Sequence, residues 1–180
     1  MAATADRSKP YFPLAGLAHD GWSNDHEATA TCLCGAVQLA FPLPGNPGFI
    51  TTFICNCTDC RKITASMFAS NFTVTSSSLR HLRGQENLRT FTQAHTIGSH
   101  QDMTNYFCGT CGGLMYRIGA RFEGEVFMRI GTVDDFTLHE TKLFPRVEQF
   151  TKGRVSWVRG FDSVEGVVQF EGMSKGEGGA

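Results

Sequence analysis

With 180 residues and 41% hydrophobic content, the chain is sized for one domain around one sizeable core. Sixteen basic against seventeen acidic residues give a formal net charge of -1, which excludes the broad field that would hold nucleic acid or an anionic membrane. Residues 1–10 carry Asp6, Arg7 and Lys9 without an apolar h-region, and no later run reaches the length of a membrane span. The expectation is a cytoplasmic protein, monomer or homodimer, with neither nucleic acid nor membrane as a partner.

Residues 1–28 hold Pro10, Pro13, Gly16 and Gly21 among scattered apolar residues and keep no helical or strand period, so they read as an irregular arm. Tyr11, Phe12 and Trp22 are placed to pin that arm to the body. Residues 29–41 alternate around Val37, Leu39 and Phe41 and read as a strand preceded by a C-x-C-G turn, ending at Pro42. Residues 49–54, F-I-T-T-F-I, form a second strand that leads into C-N-C-T-D-C-R-K. One or two helical turns are expected over 61–68, and strands over 72–75 and 88–91. Strand, knuckle and strand follow through F-C-G-T-C-G, then strands over 124–130, 147–150 and 155–158. Asp134 and Asp135 belong to a turn, and Phe144, Phe150 and Trp157 read as core or edge packing. The tail from residue 171 is Gly-rich, polar and expected to be disordered. Short strands with glycine punctuation indicate a mainly β domain, and no P-loop, G-x-G-x-x-G or G-x-S-x-G is present.

Seven cysteines cannot all pair within one chain, and they fall into three tight clusters, which favours metal over disulfides. Cys32 and Cys34 make half a site, as do Cys108 and Cys111. Joined, the two pairs give a closed Cys₄ zinc site across more than seventy residues of sequence, a clip that restrains the unfolded chain. Cys55, Cys57 and Cys60 remain as a trio. Either His95, His100 or Asp59 closes it as a second structural site, or its fourth position stays open for chemistry. An open Cys₃ zinc activates water weakly but can keep an incoming thiol deprotonated, and Arg61 and Lys62 stand next in sequence to offset charge or bind a ligand carboxylate. His19, His26, His81 and His139 are isolated and read as surface or satisfied histidines.

Together, C-L-C-G-A-V from Cys32, C-N-C-T-D-C-R-K from Cys55 and F-C-G-T-C-G from Phe107 resemble the glutathione-dependent formaldehyde-activating family, also called the CENP-V/GFA domain family, over about residues 29–159. The resemblance implies an Mss4-like (β-tent type), mainly β zinc-binding fold of short antiparallel strands. It implies two zinc ions per chain, a structural one on Cys32, Cys34, Cys108 and Cys111 and a catalytic one on Cys55, Cys57 and Cys60. The implied activity is that of S-(hydroxymethyl)glutathione synthase, a carbon-sulfur lyase joining formaldehyde to glutathione, with Arg61 and Lys62 as further candidates at the site. Where the family often has C-H-C, this chain has Asn56 between Cys55 and Cys57, so a proton-transfer role of that histidine has no counterpart here. The alternative reading is a non-catalytic zinc-stabilised binding module. The expected organisation is an arm over 1–28, the zinc domain over 29–160 and an extension over 161–180.

Overall fold

The computed structural model describes residues 6–174, so the end of the expected disordered tail lies outside the described residues. In chain order the elements are β1 (Glu27–Thr31), β2 (Gln38–Pro42), β3 (Phe49–Cys55), α1 (Thr58–Thr64), β4 (Ala69–Thr75), β5 (Arg80–Arg83) and β6 (Leu88–Gln93). They continue with β7 (Met103–Cys108), β8 (Leu114–Gly119), β9 (Glu125–Arg129), α2 (Thr137–Glu140), β10 (Val147–Gln149) and β11 (Val168–Gln169). The fold is mainly β with short strands, as the sequence predicts, and among the described residues it carries the brief helices α1 and α2, the second of which was not expected. Among the described residues no helix is long and apolar enough to cross a membrane.

The chain divides into two compact units, with boundaries inside β3, inside β4 and between Phe144 and Pro145. In the first unit, β1, β2 and β5 form one antiparallel sheet, and β6 to β9 form an antiparallel meander. Its core is built from side chains that alternate inward, among them Val37, Leu39, Phe41, Phe72, Met115 and Met128. The Phe41 and Phe72 rings lie 4.5 Å apart, the tilted contact that aromatic quadrupoles favour. Residues 29–41 hold the expected C-x-C-G turn and the strand after it, β2, and also the end of β1, so the segment is a hairpin in which Cys32 N–H donates to Val37 O at 3.0 Å. The arm is held by polar anchors more than by its aromatics. Asp135 accepts from Tyr11 N (2.9 Å) and Ser23 Oγ (2.6 Å), while the Tyr11 and Phe12 side chains are exposed. Asp134 likewise accepts from the Thr29 and Thr31 hydroxyls, so both acids serve the structure of their turn.

In the second unit, β3, β10 and β11 run parallel, with Val147↔Phe53, Glu148↔Ile54 and Gln149↔Cys55 in register. The helix expected over 61–68 occurs earlier, as α1, because Cys57 is its N-cap. Its backbone is extended, and its Sγ accepts from Cys60 N at 3.4 Å. Ala65, in the left-handed region at φ 50°, ends the helix. The strand expected over 155–158 does not form; these residues are turn, and Trp157 is exposed rather than packed.

Candidate metal centres

The first centre lies at the tip of two hairpin turns. Cys32 and Cys34 come from the β1–β2 turn, Cys108 and Cys111 from the knuckle between β7 and β8. The knuckle closes with Gly112 N–H donating to Cys108 O at 2.8 Å, and Gly112 takes φ 72°, a backbone open to glycine at no steric cost. The four sulfurs lie within 4.8 Å of one another, with Cys32–Cys34 and Cys34–Cys108 each at 3.6 Å. Zinc–sulfur bonds of about 2.3 Å put tetrahedral sulfurs about 3.8 Å apart, so the spacing fits the ion.

Donors already surround these sulfurs. Val37 N–H reaches Cys32 Sγ at 3.2 Å, and Thr110 N–H and Asn87 Nδ2 reach Cys108 Sγ at 3.4 and 3.3 Å. Burial pushes the Cys32 thiol up to about 12, against the Val37 amide. At Cys108 burial also raises the value, but the Cys111 and Thr110 amides together with the Cys32 and Cys34 thiols outweigh it and bring the thiol to about 6. Asn87 is a contributor that no spacing rule in the sequence reveals.

The second centre belongs to the other unit. β3 delivers Cys55, the following turn carries Asn56 and Cys57, and the first turn of α1 presents Cys60. The three sulfurs lie within 4.8 Å of one another, and among the described residues no histidine or carboxylate joins that group. Asp59 is thus outside it, although it sits in the same helical turn, and His95 and His100 are residues of the first unit. Cys55 and Cys60 are buried and Cys57 is half-buried, the most exposed of the three. The neighbouring Cys57 and Cys60 thiols, and then burial, push the Cys55 thiol far up. Three such sulfurs ionise together only beside a cation, and that donor set fits a soft or borderline-soft metal such as zinc.

The wall of this centre comes from residues 148–154. Phe150 packs against the trio with its backbone in the left-handed region at φ 56°, a conformation bulky side chains rarely adopt. Gly153 lies so close to the turn that a Cβ there would meet Asn56 O at 2.9 Å. Arg61 is half-buried and donates from Nη1 to Gly153 O at 3.1 Å, so it clamps this wall, and Lys62 is exposed on α1. Asn56 is buried, 1% exposed, and its amide is turned to Glu148 Oε1 at 3.0 Å. Glu148, Gly153 and Arg154 were not visible as site residues, because a V-E-Q-F segment predicts only a strand.

A family model described as "Glutathione-dependent formaldehyde-activating enzyme" matches residues 27–153. A crystal structure of a Rhodobacter sphaeroides protein, a structural genomics target, aligns with 24% identity and a TM-score of 0.47, covering 79% of this chain and 98% of that one. No curated protein gives a significant match.

Proposed function

The chain belongs to the glutathione-dependent formaldehyde-activating enzyme family, and from that premise we propose that it is a zinc-dependent carbon-sulfur lyase acting on glutathione or a similar small thiol. The observation that carries the reading is the contrast between the two cysteine groups, one with four sulfurs and one with three. Cys55, Cys57 and Cys60 would hold the zinc, and the chemistry it would supply there is better suited to keeping a thiol as its thiolate at neutral pH than to activating water. The first centre takes the structural role and the trio the catalytic one.

Cys55 and Cys60 fix the buried side of the trio, and half-buried Cys57 leaves the side from which a thiol arrives. In the forward reaction the thiol sulfur forms a bond to the formaldehyde carbon, the carbonyl π pair moves to oxygen, and a proton equal to the one the thiol gave up ends on that oxygen. Asn56 takes no part in this transfer, since its amide is buried against Glu148, and the proton passes through solvent. Lys62, exposed on α1, is placed to meet a ligand carboxylate, while Arg61 holds the Gly153 wall through Nη1.

Exchange NMR between glutathione, formaldehyde and their adduct tests the reading. The zinc-loaded protein should speed exchange, Cys57→Ser should abolish the acceleration without unfolding the chain, and Lys62→Ala should weaken thiol affinity by up to about fivefold, as expected for an exposed ion pair. Exchange no faster than in buffer would favour the zinc-stabilised binding module.

A further inference from the structure

β10 lies beside the end of β3, with Gln149 opposite Cys55, and therefore backs the strand that delivers the trio. Its Glu148 is 1% exposed, and a carboxylate at that depth is tolerated only when donors surround it. Arg154 Nη1 reaches its two oxygens at 3.2 and 3.0 Å, and Gln169 Nε2 and Phe161 N–H meet Oε2 at 3.1 and 3.2 Å. Arg154 is itself held from the other side, its Nη2 forking onto Asp162 at 2.7 and 2.9 Å. Glu148 Oε1 also accepts, at 3.0 Å, from Nδ2 of Asn56, the residue between two of the three sulfurs.

Asn56 is fixed on every side. Its backbone N–H donates to Gln149 O at 3.1 Å, its Nδ2 also reaches Gln149 O at 3.2 Å, and Gly153 closes over its carbonyl oxygen. The peptides flanking Asn56 carry Cys55 and Cys57, so holding this one side chain holds the angle between their sulfurs. Packing alone would be served at least as well by an apolar residue at position 148. What the carboxylate adds is a directed anchor for the turn.

We propose that Glu148 is the positioning residue of the trio: locked by Arg154, it orients Cys55 and Cys57 through Asn56 and so sets that centre's grip on its metal and, granted the thiol reading above, on the incoming thiol. Partners that orient metal ligands in this way typically change affinity by about ten- to a hundredfold when lost.

Metal transfer from the zinc-loaded protein to a chromogenic chelator tests this without any thiol. In the wild type the trio should release first and the four-cysteine centre later. Glu148→Gln should speed the first phase by about ten- to a hundredfold, leave the second unchanged, and shift the visible bands of cobalt held in the trio. If Glu148→Gln does not fold, Asn56→Ser leaves Glu148 and Arg154 in place, removes the Nδ2 bonds to Glu148 and Gln149 O, and should give the same selective acceleration. Equal acceleration of both phases, an unchanged first phase in Asn56→Ser, or a wild type that loads a single metal overturns the proposal. A wild-type cobalt spectrum indifferent to glutathione would instead defeat the thiol reading and leave this comparison standing.

Discussion

Opening the four-cysteine centre should cost the fold about as much as losing a long-range covalent clip. Cys34 and Cys108, whose sulfurs are 3.6 Å apart, are separated by 74 positions in sequence. Treating the metal as a cross-link over that span, the chain-entropy relation gives about 4.5 kcal/mol at room temperature. For a chain of this size each kcal/mol moves the midpoint by about 2–4 °C, so the loss corresponds to roughly 9–18 °C. The perturbation is the double change Cys108→Ser and Cys111→Ser, which removes one whole half of the site. Thermal unfolding of zinc-saturated protein, followed by circular dichroism, is the assay, with Cys57→Ser as the comparison in the trio. The double variant should melt far below both the wild type and Cys57→Ser. A Cys57→Ser midpoint as low as or lower than that of the double variant would refute the division into structural and catalytic centres.

Two smaller perturbations read other parts of the structure. His139 is held neutral: burial lowers its pKa from the ordinary 6.5, outweighing the pull of the Val133 carbonyl, Asp135 and Glu140. The unfolded chain therefore takes up this proton at a higher pH than the folded one, and the stability His139 contributes is intact above about pH 6.5 and lost as pH falls from there. His139→Asn should shrink the fall in midpoint between about pH 7.5 and 5.5, and an undiminished fall would contradict this. Gly153→Ala forces a methyl against Asn56 O at 2.9 Å and should cost about 1–3 kcal/mol by thermal melting. Gly131→Ala, where nothing lies within 4 Å, is the control and should shift the midpoint little.

The two cysteine groups that could hold a metal were legible because their members lie at short spacings along the chain. Short cysteine spacings are what a tetrahedral ion requires, and two half-sites plus a trio account for all seven cysteines. Strands with β-branched and aromatic runs, such as β3 and β7, were equally plain. What escaped depended on contacts made far along the chain. Strand β5, R-H-L-R, shows no apolar alternation and exists because β2 offers it an edge. Residues 155–158 have strand-like composition but form a turn with Trp157 exposed. α1 starts early because a cysteine, rather than Ser, Thr or Asp, serves as its cap. Glu148 looks like any strand glutamate until Arg154, Phe161 and Gln169 gather around it.

The central claim is that a small thiol enters the trio, and cobalt in that centre tests it most directly. With the four-cysteine centre kept in zinc, millimolar glutathione should strengthen the sulfur-to-cobalt charge-transfer bands and move the visible bands, while S-methylglutathione leaves both unchanged. A trio cobalt spectrum unmoved by millimolar glutathione would contradict the account.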